Sequence, residues 1–305
     1  MTPSPRTIAY DTCDDTLVGS ASALVAPLVL RIEQRLAQLL PQAGALGDNA
    51  LAGAMRSAVL GPGKRLRPLL TMLAGEALLA GGEPAALLDA ACAVEMVHCA
   101  SLVLDDMPCM DDARLRRGQP ALHLHAGEDV ALLAAVALLA LASQVLAQAP
   151  ELDATRRCRL VACLNAAIGF GGLAQGQYRD LRQGAVDAAA GAELNDLKTG
   201  VLFAAALEMA AIVAARDEQA PALRRAALEL GRAFQLRDDL DDAQPSESRP
   251  SESTLVSLLG RPQADAMLRR SVERAQAALA VALPARQRLG FLVAAYFART
   301  VPARD

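Results

Sequence analysis

No tryptophan occurs anywhere in the chain, and three tyrosines with five phenylalanines bring aromatics to only 3%. A core of large rings is therefore excluded, and with 53% hydrophobic residues the interior must be assembled from Ala, Leu and Val. Such a composition favours closely packed helices. There is no basic tract and the net charge is −4, which argues against a nucleic-acid partner, since that binding rests on clustered Lys and Arg neutralising phosphates. The six cysteines, Cys13, Cys92, Cys99, Cys109, Cys158 and Cys163, show neither CxxC spacing nor the density of a small secreted scaffold. They suit reduced thiols in the cytoplasm. No basic segment followed by an apolar one opens the chain, so no secretory leader is expected. The apolar run at 130–142 falls short of the roughly 20 residues that span a bilayer, so no transmembrane segment is expected. Being apolar on every face, it reads as a buried helix or a subunit interface. No Pro/Gly/Ser-rich linker divides the middle of the 305 residues, which points to one domain. No strand pattern persists, and the motifs mark no internal repeat.

What the chain does carry is acid, concentrated where apolar segments end. Residues 102–119 read LVLDDMPCMDDARLRRGQ, setting Asp105, Asp106, Asp111 and Asp112 ahead of Arg114, Arg116 and Arg117. Carboxylates crowded at one helix end repel one another unless some hold protons or a cation sits among them. Oxygen donors without a Cys or His cluster favour a hard ion, and Mg²⁺ takes a few carboxylates while leaving positions to phosphate oxygens. The arginines beyond suit paired contacts with phosphate. An isolated run of this kind is more often a solvated helix end. Residues 234–242, FQLRDDLDD, change that balance: Asp238 and Asp242 are four apart, with Asp239 beside the first, and share a helix face. Two such helix ends facing each other could hold a cluster of Mg²⁺ around a diphosphate and draw charge from its leaving oxygen.

Basic and polar residues are spaced among these motifs. Residues 1–20 lack periodic hydrophobics and read as a flexible arm, with 21–305 as the domain. The spacing predicts a helix over 23–40, and Asp48 stands where it can cap the next. Gly61-Pro62-Gly63 breaks the chain and puts Lys64, Arg65 and Arg67 at the start of a helix running through Leu79, where backbone N–H groups and three cations make an anion site. His98 lies on a long helix, seven residues before Asp105, two turns away and nearly on the same face. Taken alone, such a histidine is more often a satisfied core residue. His123 and His125 read as a polar turn before Gly127 rather than a metal pair. Glycines 169, 171, 172 and 176 weaken the helix expected over 153–182 but permit close approach of another helix or of substrate. Lys198, alone among hydrophobics, calls for an anionic partner. The segment AQPSESRPSESTL reads as a mobile loop, followed by helices over 262–282 and 286–299.

Gly63-Lys64-Arg65-Leu66-Arg67-Pro68, the DDMPCMDD and LRRG pair, Gly176-Gln177, Lys198-Thr199-Gly200 and FQLRDD are together highly specific. From about Leu30 onward the chain resembles the polyprenyl synthetase family, the trans-isoprenyl diphosphate synthases, and most of all bacterial geranylgeranyl diphosphate synthases of carotenoid type. The resemblance implies an all-α isoprenoid synthase fold, roughly ten or more helices around a central cavity, and a homodimer. It implies successive condensation of allylic diphosphates with isopentenyl diphosphate, with about two or three Mg²⁺ ions per site. By the same resemblance Asp105, Asp106, Asp111, Asp238, Asp239 and Asp242 hold Mg²⁺. Arg116 and Lys198 steady the allylic diphosphate, while Lys64, Arg67, His98 and Arg117 hold isopentenyl diphosphate. Thr199 and Gln235 belong to the substrate site, and Gln177 and Asp180 match GQxxDL and reach toward metal-bound water.

Ser101 and Ala100 stand four and five residues before Asp105, one turn of about 5.4 Å below the metal site, with Val97 and Met96 one turn deeper. Both upper residues are small, so a growing chain can pass. Family members that stop at farnesyl carry an aromatic residue there, which makes geranylgeranyl diphosphate the expected product and farnesyl diphosphate the alternative. Two other classes stay open. A terpene cyclase shares the acidic helix ends but needs no second diphosphate site, and intact GKRLRP and RRG count against it. A non-catalytic partner subunit keeps the fold while losing site residues. Here Ser248 and Glu252 stand where related enzymes carry the two lysines of a KDxGKSTL loop, and Arg249 compensates in part. Activity is expected to persist with weaker allylic binding or slower ionisation.

Overall fold

The computed structural model describes residues 15–42, 49–79, 81, 83–182, 188–242, 256, 259–283, 285 and 287–298. Helices α1 (Asp15–Leu39), α2 (Ala50–Leu60), α3 (Leu66–Leu78) and α4 (Ala85–Asp105) come first. A hairpin of β1 (Leu115–Arg116) and β2 (Gln119–Pro120) leads to α5 (Leu122–Ala126), α6 (Glu128–Ala147), α7 (Ala154–Ile168), α8 (Leu173–Arg182) and α9 (Ala188–Asn195). A π-helical turn (Asp196–Gly200) joins α9 to α10 (Val201–Ala214), and α11 (Ala220–Asp242), α12 (Arg261–Ala282) and α13 (Gln287–Ala298) follow. The fold is all-α, as the composition requires.

Two helices without a polar face form the centre. Residues 201–213 of α10 are buried except Glu208, and α4 is buried along most of its length. Both pack on α3 and on each other, α6 covers α4, and α11 lies between α10 and α12. A helix apolar on all sides has no stable place but the interior. Ala86, Ala90, Ala93 and Ala100 of α4 and Ala204, Ala206 and Ala210 of α10 are fully enclosed, so small side chains set the close spacing. The polar groups of α4 are paired: Asp89 accepts from Arg35 at 2.7 and 3.2 Å, and Glu95 from Arg65 at 3.0 Å.

Besides the break at 169–172 that splits the helix expected over 153–182 into α7 and α8, the structure departs from the sequence reading in four places. Helix α1 begins at Asp15, inside the segment expected to be a loose arm; residues 1–14 lie outside the described residues. Asn49, not Asp48, caps α2, its Oδ1 accepting from the N–H groups of Leu51 and Ala52 at 3.1 and 3.3 Å; Asp48 lies outside the described residues. A hairpin does exist, but its strands are two residues each, too short for a period-two pattern to show.

The fourth departure is α6. It is buried on one side through Ala131, Ala134, Ala135, Leu138 and Ala142, while Leu132, Leu133 and Val136 are 47%, 56% and 56% exposed. Alanines face α4 because they allow close approach, which leaves the bulky residues outside. Its 20 residues also remove the argument from length: four helical stretches among the described residues are long and apolar enough to cross a membrane. For α4 and the stretch containing α10, protein packing accounts for that apolarity, with 72% and 78% of the windows buried. The thiols of Cys92, Cys99, Cys109, Cys158 and Cys163 are free; Cys13 lies outside the described residues.

Candidate active site

The end of α4, the loop before α3, the hairpin, the π turn and α11 meet around a cavity of about 640 Å³. Lys64, Arg67, His98, Ser101, Asp105, Arg116, Arg117, Lys198, Thr199, Gln235 and Asp238 line it, bringing together most of the residues expected to bind substrate. Their aim depends on local backbone geometry. Arg65 takes a left-handed conformation at φ 50° where α3 begins, and turns its guanidinium inward onto Glu95 (3.0 Å) and the Gly61 carbonyl (2.8 Å). Of the three cations read as an anion site, Arg65 therefore clamps the loop to α4, leaving Lys64 and Arg67 for ligand. Arg67 is buried against the rings of Phe203 (4.8 Å) and Phe234 (5.8 Å), and its Nε has no hydrogen-bond partner among the described residues. Burial pushes its pKa down to about 10, which still leaves it charged at neutral pH.

Arg117 and Gly118 form the hairpin turn with φ 53° and 77°, the mirror-image turn whose twist matches the strands. That turn sends neighbouring arginines apart. Arg117 donates to the Pro62 carbonyl at 2.7 Å and lies 3.5 Å from His98 Nε2. A Cβ at Gly63 would stand 2.6 Å from Arg117 Nη1, so a side chain there would push the Arg117 guanidinium out of this position. Burial, then Arg67, Arg117, Arg116 and Arg65, hold His98 well below its ordinary pKa. The ring is neutral and can offer one N–H to an anion.

Arg116 reaches Asp106 instead, its Nε at 3.0 and 3.1 Å from the two carboxylate oxygens and its Nη2 closer still. Asp106 is buried and lines a neighbouring cavity of about 720 Å³ that shares Pro62, Leu102, Arg116 and Arg117 with the active cavity. Asp105 enters the active cavity. Burial raises its pKa to about 6, with Asp111 and Asp106 adding to the rise and Lys198 and Arg116 opposing it. Asp111 and Asp112 are exposed on the loop beyond. On the facing helix, Asp239 accepts from Gln235 Nε2 at 2.8 Å, and Gln235 Oε1 accepts from Thr199 at 3.4 Å. Asp242 ends α11; its side chain lies outside the described residues, as do Ser248, Arg249 and Glu252.

Among the described residues no three His, Cys, Asp or Glu side chains converge into a preformed metal cage. The donor set nonetheless fits a hard cation. Asp105 and Asp238 line one cavity from two helix ends, and carboxylate oxygens with no Cys among them suit such an ion. Phosphate oxygens from a ligand would complete the coordination.

Lys198 projects from the π turn, an irregularity often found at functional sites, and its ammonium pairs with Asp180 of α8. The anionic partner expected for Lys198 is thus Asp180. A Cβ at Gly176 would come within 2.9 Å of the Lys198 backbone nitrogen, so this glycine serves helix contact rather than substrate contact. Gln177 has both side-chain polar atoms buried without a partner among the described residues, and it lines a second cavity of about 500 Å³. That cavity shares Ser101, Asp105 and Lys198 with the first and is walled by Val97, Leu104, Met110, Leu139, Ile168, Leu173 and Tyr178. Ala100 is fully buried and lines neither cavity. The apolar walls from α6 and α7, and Leu173 and Tyr178 of α8, belong to no motif and were not foreseen, nor was the Arg65–Glu95 clamp.

A helical fold whose cation-lined cavity opens into an apolar one defines a class of protein that handles diphosphates of apolar chains. The polyprenyl synthetase family model matches residues 48–251. The geranylgeranyl diphosphate synthase of Pantoea ananas is 48% identical over 263 residues, covering 84% of this chain and 86% of that one. That of Pseudescherichia vulneris is 45% identical over 261 residues, covering 83% and 84%. A crystal structure of an FPP/GFPP synthase from Zymomonas mobilis superposes with a TM-score of 0.82 at 34% identity, covering 91% of this chain and 99% of that one. The chain belongs to the polyprenyl synthetase family and is a prenyltransferase.

Proposed function

We propose that the protein condenses isopentenyl diphosphate with allylic diphosphates in succession and releases geranylgeranyl diphosphate. The observation that carries this reading is the junction of the two cavities at Ser101, Asp105 and Lys198, which joins an anion-binding chamber to an apolar one. Both bacterial relatives carry that product in their names.

Lys198, held by Asp180, and Arg116, held by Asp106, bind the allylic diphosphate at the junction, so that its hydrocarbon points past Ser101 and Val97. Lys64, Arg67, Arg117 and neutral His98 bind the other diphosphate across the chamber. Holding both substrates in one cavity converts their encounter into a near-unimolecular step. The aliphatic walls exclude water, which would otherwise capture a developing allylic cation. Mg²⁺, held by Asp105 and Asp238 with support from Asp111, Asp239 and Asp242, would supply Lewis-acid stabilisation of the departing diphosphate. A second copy of the chain covers Leu132, Leu133 and Val136 of α6, giving a homodimer. Free thiols at Cys109 and Cys158 suit a reducing cytoplasm.

Purified protein with Mg²⁺, farnesyl diphosphate and labelled isopentenyl diphosphate tests the reaction. Label in geranylgeranyl diphosphate is the expected result. A product stopping at farnesyl from shorter starters would make it a farnesyl diphosphate synthase, and no incorporation would overturn the reading.

A further inference from the structure

Aromatic residues are scarce in this chain, yet of its three tyrosines and five phenylalanines, four stand in one row behind the basic wall of the active cavity. Phe203 and Phe234 have ring centroids 5.7 Å apart, Phe234 stacks on Tyr296 at 5.9 Å, and Phe297 meets Tyr296 edge-on at 5.0 Å. Cations cover the row: Arg67 lies over Phe203 and Phe234, and Arg237 lies over Tyr296 at 4.5 Å while donating to the Tyr296 carbonyl. Lys64 sits 5.3 Å above the Tyr296 ring, and its ammonium donates to the Tyr296 hydroxyl at 3.3 Å.

Lys64 needs such a partner more than its neighbours do. Arg67 is buried and wedged between rings, and Arg117 is tied to Pro62, but Lys64 is exposed on the loop before α3. It also lines two spaces, the active cavity and a separate cavity of about 530 Å³ among α1, α3 and α13. A flexible lysine that faces two cavities divides its time between them unless something fixes it, and ordering it on binding costs rotamer freedom. We infer that Tyr296, on the last helix, is a positioning residue that presets Lys64 to receive the diphosphate of isopentenyl diphosphate. Burial raises the Tyr296 hydroxyl to about 12, so it stays protonated and serves Lys64 as a neutral acceptor. Phe234 and Arg237 hold the ring in turn, which links the end of the chain to the substrate loop through α11.

This inference rests on the proposed reaction, and the experiment separates the two. Tyr296→Phe removes only the hydroxyl and keeps the stacked ring, so the melting temperature should stay near that of the wild type. The KM for isopentenyl diphosphate should rise about fivefold, while kcat and the allylic KM stay within about twofold. In a Lys64→Gln background the added Tyr296→Phe change should have no further effect on that KM, because its effect passes through the lysine. If wild-type protein incorporates isopentenyl diphosphate and Tyr296→Phe leaves its KM unchanged, the positioning role is wrong and the reaction stands. Equal rises in both KM values, or a full additional rise in the Lys64→Gln background, would also overturn it. If the wild type incorporates none, the reaction and this role fall together.

Discussion

Arg116 grips the buried Asp106 carboxylate through two of its nitrogens, while neighbouring Asp105 lines the active cavity beside it. Of the two adjacent aspartates, one thus lines the active cavity and the other pairs with the arginine beside it.

Substitutions should separate those roles. Asp105→Asn and Asp238→Asn remove donors from the cavity and should each lower kcat by about a thousandfold or more with the fold intact. Asp106→Asn should cost only about tenfold, mainly as a higher allylic KM, because it loosens Arg116. Steady-state kinetics with circular dichroism checks this, and equal losses for the three variants would place Asp106 among the metal donors.

Burial of Asp105 predicts a pH signature in binding of the metal. Its pKa of about 6 lies above the ordinary value of an aspartate, so the proton favours the folded metal-free protein; that contribution is complete below the ordinary value and lost as pH rises through about 6. Mg²⁺ requires the ionised carboxylate and competes with the proton. Mg²⁺ affinity should therefore climb as pH rises through about 6 and level off above, as read by calorimetry across roughly pH 5 to 8. A flat profile would show that Asp105 does not bind the ion.

Chain length should respond at Ser101 rather than at Ala100. Ser101→Phe places a ring at the junction of the two cavities and should shift the product toward farnesyl diphosphate. Ala100→Phe instead forces a ring into a fully buried site and should destabilise the protein by about 1–3 kcal/mol. Chromatography of labelled products and thermal melts distinguish these outcomes. Shortening by Ala100→Phe without loss of stability would redraw the wall.

The clamp between Arg65 and Glu95 should matter for stability. Both side chains are almost wholly buried, at 1% and 2% exposure, and removing one partner leaves an uncompensated charge. Glu95→Ala should destabilise the protein by about 3 kcal/mol, visible in denaturant unfolding. A change below about 0.5 kcal/mol would mean that Arg65 is neutralised by another acid, such as Glu33 at 3.5 Å.

The class of fold and the chemistry of the site were legible in the chain itself. Too few rings, much Ala and Leu, and no persistent alternation leave packed helices as the way to bury this composition. Carboxylates at the ends of apolar helices, with GKR ahead of them and RRG and KTG between them, specify a site for diphosphate because those residue types suit anions and hard cations and little else.

Direction and distance were settled only in three dimensions. A helix turns about 100° per residue, so Asp105 and Asp106, though adjacent, point in different directions, and a stretch of sequence alone does not say which of them meets the cavity. Left-handed backbone at Arg65 and Arg117 likewise divides neighbouring cations between clamp and ligand. The tunnel walls at Leu139, Ile168 and Leu173 are ordinary apolar residues until α6, α7 and α8 converge on α4. Lys64 and Tyr296 lie 232 positions apart, and only the packing of α13 beside α3 and α11 makes them neighbours. Local pattern dictates which elements form and what they carry; long-range packing dictates which of those groups meet, because it depends on the shapes of all the helices at once.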